Sequence, residues 1–60
     1  MALAQRIESL RKRHAEIEDK LHTEETRPAP DIALVQKMKK EKLTLKEEIE
    51  RLTDELQQAA

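Results

Sequence analysis

Leu3, Ile7, Leu10, Ile17 and Leu21 alternate spacings of four and three along the first part of the chain, with His14 and Glu24 filling the polar slots of the same register. That rhythm puts one narrow apolar seam on a helix. A second run, Val35, Met38, Leu45, Ile49, Leu52, Leu56 and Ala59, repeats it with Lys42 as the polar slot. Between them lies Thr-Glu-Glu-Thr-Arg-Pro-Ala-Pro-Asp, Thr23 to Asp31. Pro28 and Pro30 push Arg27 and Ala29 out of helical dihedrals, and two prolines so close cannot share a helix interior. The pattern therefore predicts one helical hairpin over residues 1–60: a helix over about 3–25, a loop over about 26–30 and a helix over about 31–58. The second helix can begin with Pro30 in its first turn. Asp31 either caps it or sits early enough to favour the positive end of its dipole. Fraying is expected from Gln57 to Ala60.

Folding the chain back at Ala29–Pro30 tests the hairpin. Leu21 then faces Met38, Ile17 faces Lys42, His14 faces Leu45, Leu10 faces Ile49, Ile7 faces Leu52 and Leu3 faces Leu56. On one flank the register sets Arg6 against Glu55, Arg13 against Glu48 and Lys20 against Glu41, all opposite in sign. Flanking charges of that kind set register and orientation in paired helices. On the other flank Glu18 faces Lys39, but Arg11 faces Lys46. Exposed pairs of this sort contribute only about 0–1 kcal/mol each, so they choose a register rather than hold a fold.

A chain this short with a single seam buries little, and small domains of this kind are marginal without staples, metals or oligomerisation. Ile32, Leu34 and Leu43 also lie off the seam, toward the loop half of the second helix. A widened apolar face is what a four-helix bundle requires. The expected architecture is thus all-α, an antiparallel two-helix coiled-coil hairpin that dimerises into a four-helix arrangement. Ile32, Leu34 and Leu43 are the expected self-association or partner face.

Composition narrows the function. The chain has no glycine, no cysteine and no aromatic residue, and 42% of it is charged, against roughly 25% in an average domain. Lack of cysteine removes disulfide and thiolate-metal chemistry and fits a reducing compartment. Met1 to Arg13 lacks a long apolar run, so neither a signal peptide nor a membrane span is expected there, and the cytoplasm is the default location. The formal net charge of −1 supplies no global field toward nucleic acid or membrane.

Candidate chemistry is sparse. His14 at a seam position could titrate as a pH sensor, but the plainer expectation is a ring packed on Leu45 with one nitrogen reaching solvent. His22 lies beside Glu18 and Glu25, yet structural zinc wants four convergent ligands, and two histidines so placed do not supply them. The carboxylates sit at helix-surface spacings with no pocket to raise a pKa. A thin hairpin also offers no water-excluding cleft. No enzyme, metal site or cofactor is expected. Arg11, Lys12, Lys39, Lys42 and Lys46 form a basic patch that could contact phosphates of nucleic acid or the ribosome. No aromatic residue is present to stack bases, and lysine stems can simply cover apolar surface.

The run Lys40 to Ile49, Lys-Glu-Lys-Leu-Thr-Leu-Lys-Glu-Glu-Ile, resembles the hallmark of the small bacterial YdcH-like family, a lysine-rich stretch followed by Leu-x-Leu-Lys-Asp/Glu-Glu. Arg27 to Asp31 and the segment Arg11 to His14 are also similar to shorter members, and the resemblance covers nearly the whole chain. Glu47 stands where such sequences often carry aspartate. The resemblance implies a short helical hairpin from a bacterial cytoplasm, in a family of unknown function, and it transfers no catalytic residue. The functional expectation is a non-catalytic interaction module that self-associates and presents an apolar and lysine-rich face to a macromolecular partner. The competing expectation is a nucleic-acid- or ribosome-associated accessory protein.

Overall fold

A computed structural model describes residues 2–58. Ala59, the last expected seam position, and Ala60 in the expected frayed end lie outside the described residues. Two helices follow one another, α1 over Leu3–Glu25 and α2 over Ile32–Gln58. They pack side by side as a hairpin measuring 48 × 14 × 14 Å. The thickness is that of two helices with no second layer.

The two ends of α1 are made differently. Its start is plain: Ala2 is extended and offers no side-chain cap, and the Arg6 N–H donates to the Ala2 carbonyl at 3.1 Å. Its end is tied by Thr26. The Thr26 N–H donates to the His22 carbonyl at 3.1 Å, and its hydroxyl lies 3.0 Å from that oxygen and 3.1 Å from the Thr23 carbonyl. No described residue has positive φ, so no left-handed C-cap closes the helix. Pro28 and Pro30 end it instead by their effect on the preceding residues.

Pro30 does not open α2. The helix begins at Ile32, and Asp31 is its N-cap: Oδ1 accepts the Leu34 N–H at 3.2 Å while the Asp31 carbonyl takes the Val35 N–H at 2.9 Å. A capping box would use an acid three residues after the cap to hold the cap's own N–H, but that position is Leu34. Glu24, from the last turn of α1, does this instead. Its Oε2 accepts the Asp31 N–H at 2.9 Å and its Oε1 accepts the Arg27 guanidinium at 3.0 Å. Glu24 is only 6% exposed, the one buried charged side chain among the described residues. Burial of a carboxylate is costly unless it is hydrogen-bonded and paired, and here it is both. The polar slot that ends the first apolar run is thus a clasp joining the two helices across the proline loop.

The seam divides into two apolar clusters. Ile7, Leu10, Leu45 and Leu52 form the one toward the open end, with Leu3, Ile17 and Ile49 packed against it. Leu21, Val35 and Met38 form the one toward the loop, and Ile17 touches both. Burying a side chain of this size stabilises by about 1.5–3 kcal/mol, so these seven buried residues carry the fold. Leu56, at the expected seam position opposite Leu3, is exposed and lines an open groove with Ala4, Ile7, Arg11 and Thr53.

Between the clusters, His14 and Lys42 are half-buried and both turn to Glu18. Lys42 Nζ lies 3.3 Å from Glu18 Oε1, and His14 Nδ1 lies 3.9 Å from Oε2. Polar residues in a seam specify register at some cost in stability. The expected flanking pairs Arg6–Glu55, Arg13–Glu48, Lys20–Glu41 and Glu18–Lys39 are replaced by diagonal ones. Arg6 reaches Glu48 at 3.2 Å, which also lies 3.9 Å from Arg51, and Lys39 reaches Glu25 at 3.6 Å. Long arginine and lysine stems span more than one turn, and pairs this exposed are too weak to enforce the directly opposite partner.

Candidate interaction surface

Off the seam, each helix carries two stripes, and the ion pairs sort them onto two sides of the hairpin. Along α1, Ala15, Glu18, His22 and Glu25 follow at spacings of four and three; along α2, Ile32, Gln36, Lys39, Leu43 and Lys46 do the same. The Glu18–Lys42 and Glu25–Lys39 contacts place these two stripes on one side. The Arg6–Glu48 contact marks the other side, where the stripe of Arg6, Arg13, Lys20 and Arg27 meets that of Leu34, Lys37, Glu41 and Glu48.

The three residues expected as one apolar face are split by this sorting. Ile32 is 66% exposed and Leu43 55% exposed, and both belong to the first side. Leu43 shares an open groove with Leu21, Glu25, Lys39, Lys42 and Lys46. Leu34, 38% exposed, lines a groove on the opposite side with Lys20, Thr23, Arg27 and Met38. The reason is helical arithmetic: Leu34 immediately precedes the seam residue Val35, whereas Leu43 immediately follows Lys42, so the two flank the seam on opposite edges.

The five basic residues are likewise distributed. Lys39, Lys42 and Lys46 come together around Leu43. Arg11 lines a neighbouring groove with Ala4, Ile7, Glu8, Thr53 and Leu56. Lys12 lies among Gln5, Glu8 and Ser9 on α1 alone. Lys39 and Lys42 have carboxylates beside them, while Arg11, Lys12 and Lys46 have none within 4 Å among the described residues. The expected patch is therefore a mixed-charge surface in its loop half.

A further groove, not evident from the sequence, lies on the Leu34 side. It has a volume of about 690 Å³ and a floor of Leu10, Ile17 and Leu45. Arg13, Lys37 and Lys40 line it without an ion-pair partner within 4 Å among the described residues, together with Glu41 and the Arg6–Glu48 pair. The stripe containing Arg6 and Arg13 is visible in the sequence, but the directly facing register pairs both residues with carboxylates across the seam. No three His, Asp or Glu side chains converge among the described residues in the manner of a metal site. No described helix is long and apolar enough to cross a membrane.

Residues 7–53 match a family described as "Protein of unknown function (DUF465)". Comparison with curated proteins and with solved structures gives no match. The matched segment takes in both apolar clusters apart from Leu3, the proline loop and the whole lysine-rich stretch, so the chain belongs to this family of unknown function. The resemblance of Lys40 to Ile49 to the YdcH-like family is consistent with that membership.

Proposed function

We propose that this member of a family of unknown function is a non-catalytic helical-hairpin interaction module that self-associates and docks another macromolecule through what its helices leave exposed. The observation that carries the reading is Leu43. It stands 55% exposed in the middle of α2, on the same stripe as Ile32, 66% exposed at the start of the helix, on a hairpin that buries only one seam. Exposed apolar residues scattered singly mean little. Two on one stripe of a two-helix protein are a face that a further helix layer would cover.

Sedimentation equilibrium on the wild type and on Leu43→Glu, with far-UV dichroism, tests it. The expected result is a wild-type dimer and a variant shifted to monomer with reduced helix content. Helical monomers in both cases would end the self-association reading and leave Leu43 as a surface for a different protein.

A second reading, contact with nucleic-acid phosphates, draws on Arg13, Lys37 and Lys40, which gather on one groove without carboxylate partners. Unpaired cations release counterions on binding and give a steep salt dependence. A salt-sensitive shift of RNA or DNA abolished by charge reversal at these three positions, and not at Lys39, Lys42 and Lys46, would favour it.

A further inference from the structure

We infer that the partner on the Leu43 side is a second copy of this chain, stacked face to face with both loops at the same end, so that α1 of each copy lies on α2 of the other. This rests on the self-association reading above and specifies its geometry. The loop half of this side is self-complementary in charge. On α1 its stripe carries Glu18 and Glu25; on α2 it carries Lys39, with Lys42 reaching the same side from the seam. Stacking α1 on α2 brings acid over base twice, once for each copy. Reversing one hairpin would put α1 on α1 and α2 on α2, acid over acid and base over base. Opposed like charges disfavour the second arrangement.

The shapes agree with the charges. The seam register puts Ala15 and Leu43 level with one another, flanking the seam pair His14 and Leu45, and both are exposed. In the stacked arrangement Leu43 of each copy projects onto Ala15 of the other, a large residue over a small one, and the two-fold axis repeats the contact. An isologous interface requires this reciprocity. Arg11 and Lys46 stand nearer the open end, where they would meet as like charges, so the contact is centred on the loop half. The Leu34 side also sets opposite charges against each other, but no large apolar residue stands at its middle: its groove has charged and polar side chains over a floor of Leu10, Ile17 and Leu45 that the seam already uses.

The chain has no cysteine, so introduced thiols report geometry directly. Ala15→Cys and Leu43→Cys are made separately and mixed under mild oxidation. The expected product is a covalent dimer holding one chain of each kind, formed at least tenfold more than in either variant alone. Efficient cross-linking of Leu43→Cys with itself would overturn the arrangement in favour of the reversed one. Because Leu43→Cys also trims the contact, a second measurement stands beside the first. Ala15→Leu and Leu43→Ala should each weaken dimerisation at least tenfold, and the double variant, in which large and small residues trade places, should recover most of it. A dimer indifferent to both substitutions, or a double variant weaker than either single one, overturns the geometry while leaving self-association intact. A monomeric wild type removes both.

Discussion

The open half and the loop half of this hairpin are held together by different means. Toward the open end, four buried aliphatic side chains and three half-buried neighbours form one cluster. Toward the loop the cluster has three buried members, and beside it a buried carboxylate holds the Arg27 guanidinium and, across the proline break, the Asp31 N–H. Apolar burial tolerates small displacements because it has no direction. A clasp of hydrogen bonds depends on distance and angle. The half that is geometrically fixed is also the half that exposes Ile32 and Leu43. Under the self-association proposed above, a face built on a fixed turn would cost less to order on binding.

The largest expected effect is in the open half. Leu10→Ala removes a buried side chain from the centre of the bigger cluster and should cost about 2–5 kcal/mol. Chemical denaturation should show the midpoint collapse, with the whole hairpin lost, because so small a fold has no second core to fall back on. A loss under 1 kcal/mol would mean that the seam is not the main support.

An intermediate effect is expected at the clasp. Glu24→Ala leaves the Asp31 N–H without its acceptor and frees Arg27, which should cost about 1–3 kcal/mol. Amide hydrogen exchange separates this from general destabilisation. Exchange should quicken most at Asp31, Leu34 and Val35, while amides around Leu10 and Leu52 keep most of their protection. Equal loss in both halves would erase the distinction drawn between them.

The smallest effect belongs to the surface. Arg6→Ala removes the ion pair with Glu48, whose partners are 56% and 27% exposed at the side chain. Solvent screening limits its effect to within about 1 kcal/mol, reduced further by salt. A larger loss would show the flanking charges holding the open half as well as the seam does.

The seam was legible in the sequence because a spacing of three and four requires nothing but the helix period, and each of its buried apolar members follows that spacing. The loop was legible because proline restricts the residue before it wherever it occurs. Glu24 was visible only as an interruption of the apolar rhythm. Its partners are Arg27, just past the end of α1, and the Asp31 N–H beyond both prolines, so the helix period that carries the seam does not run on to them. The ion pairs were misassigned one by one for a related reason: long side chains choose among several acceptors within reach, and the choice is settled by positions in space. Ile32, Leu34 and Leu43 lie close in sequence yet on two edges of the helix, since nearness in sequence does not give the same edge.

The sequence by itself determined that there are two helices, where proline separates them and the spacing that the buried apolar residues follow, because periodicity and backbone restriction are local properties. Only the tertiary structure decided that an acid at the end of α1 holds the N-cap residue of α2, and that Lys39 and Lys42 have carboxylates within 4 Å while Arg13, Lys37 and Lys40 do not. Those facts depend on the distance between atoms on different helices, which packing sets.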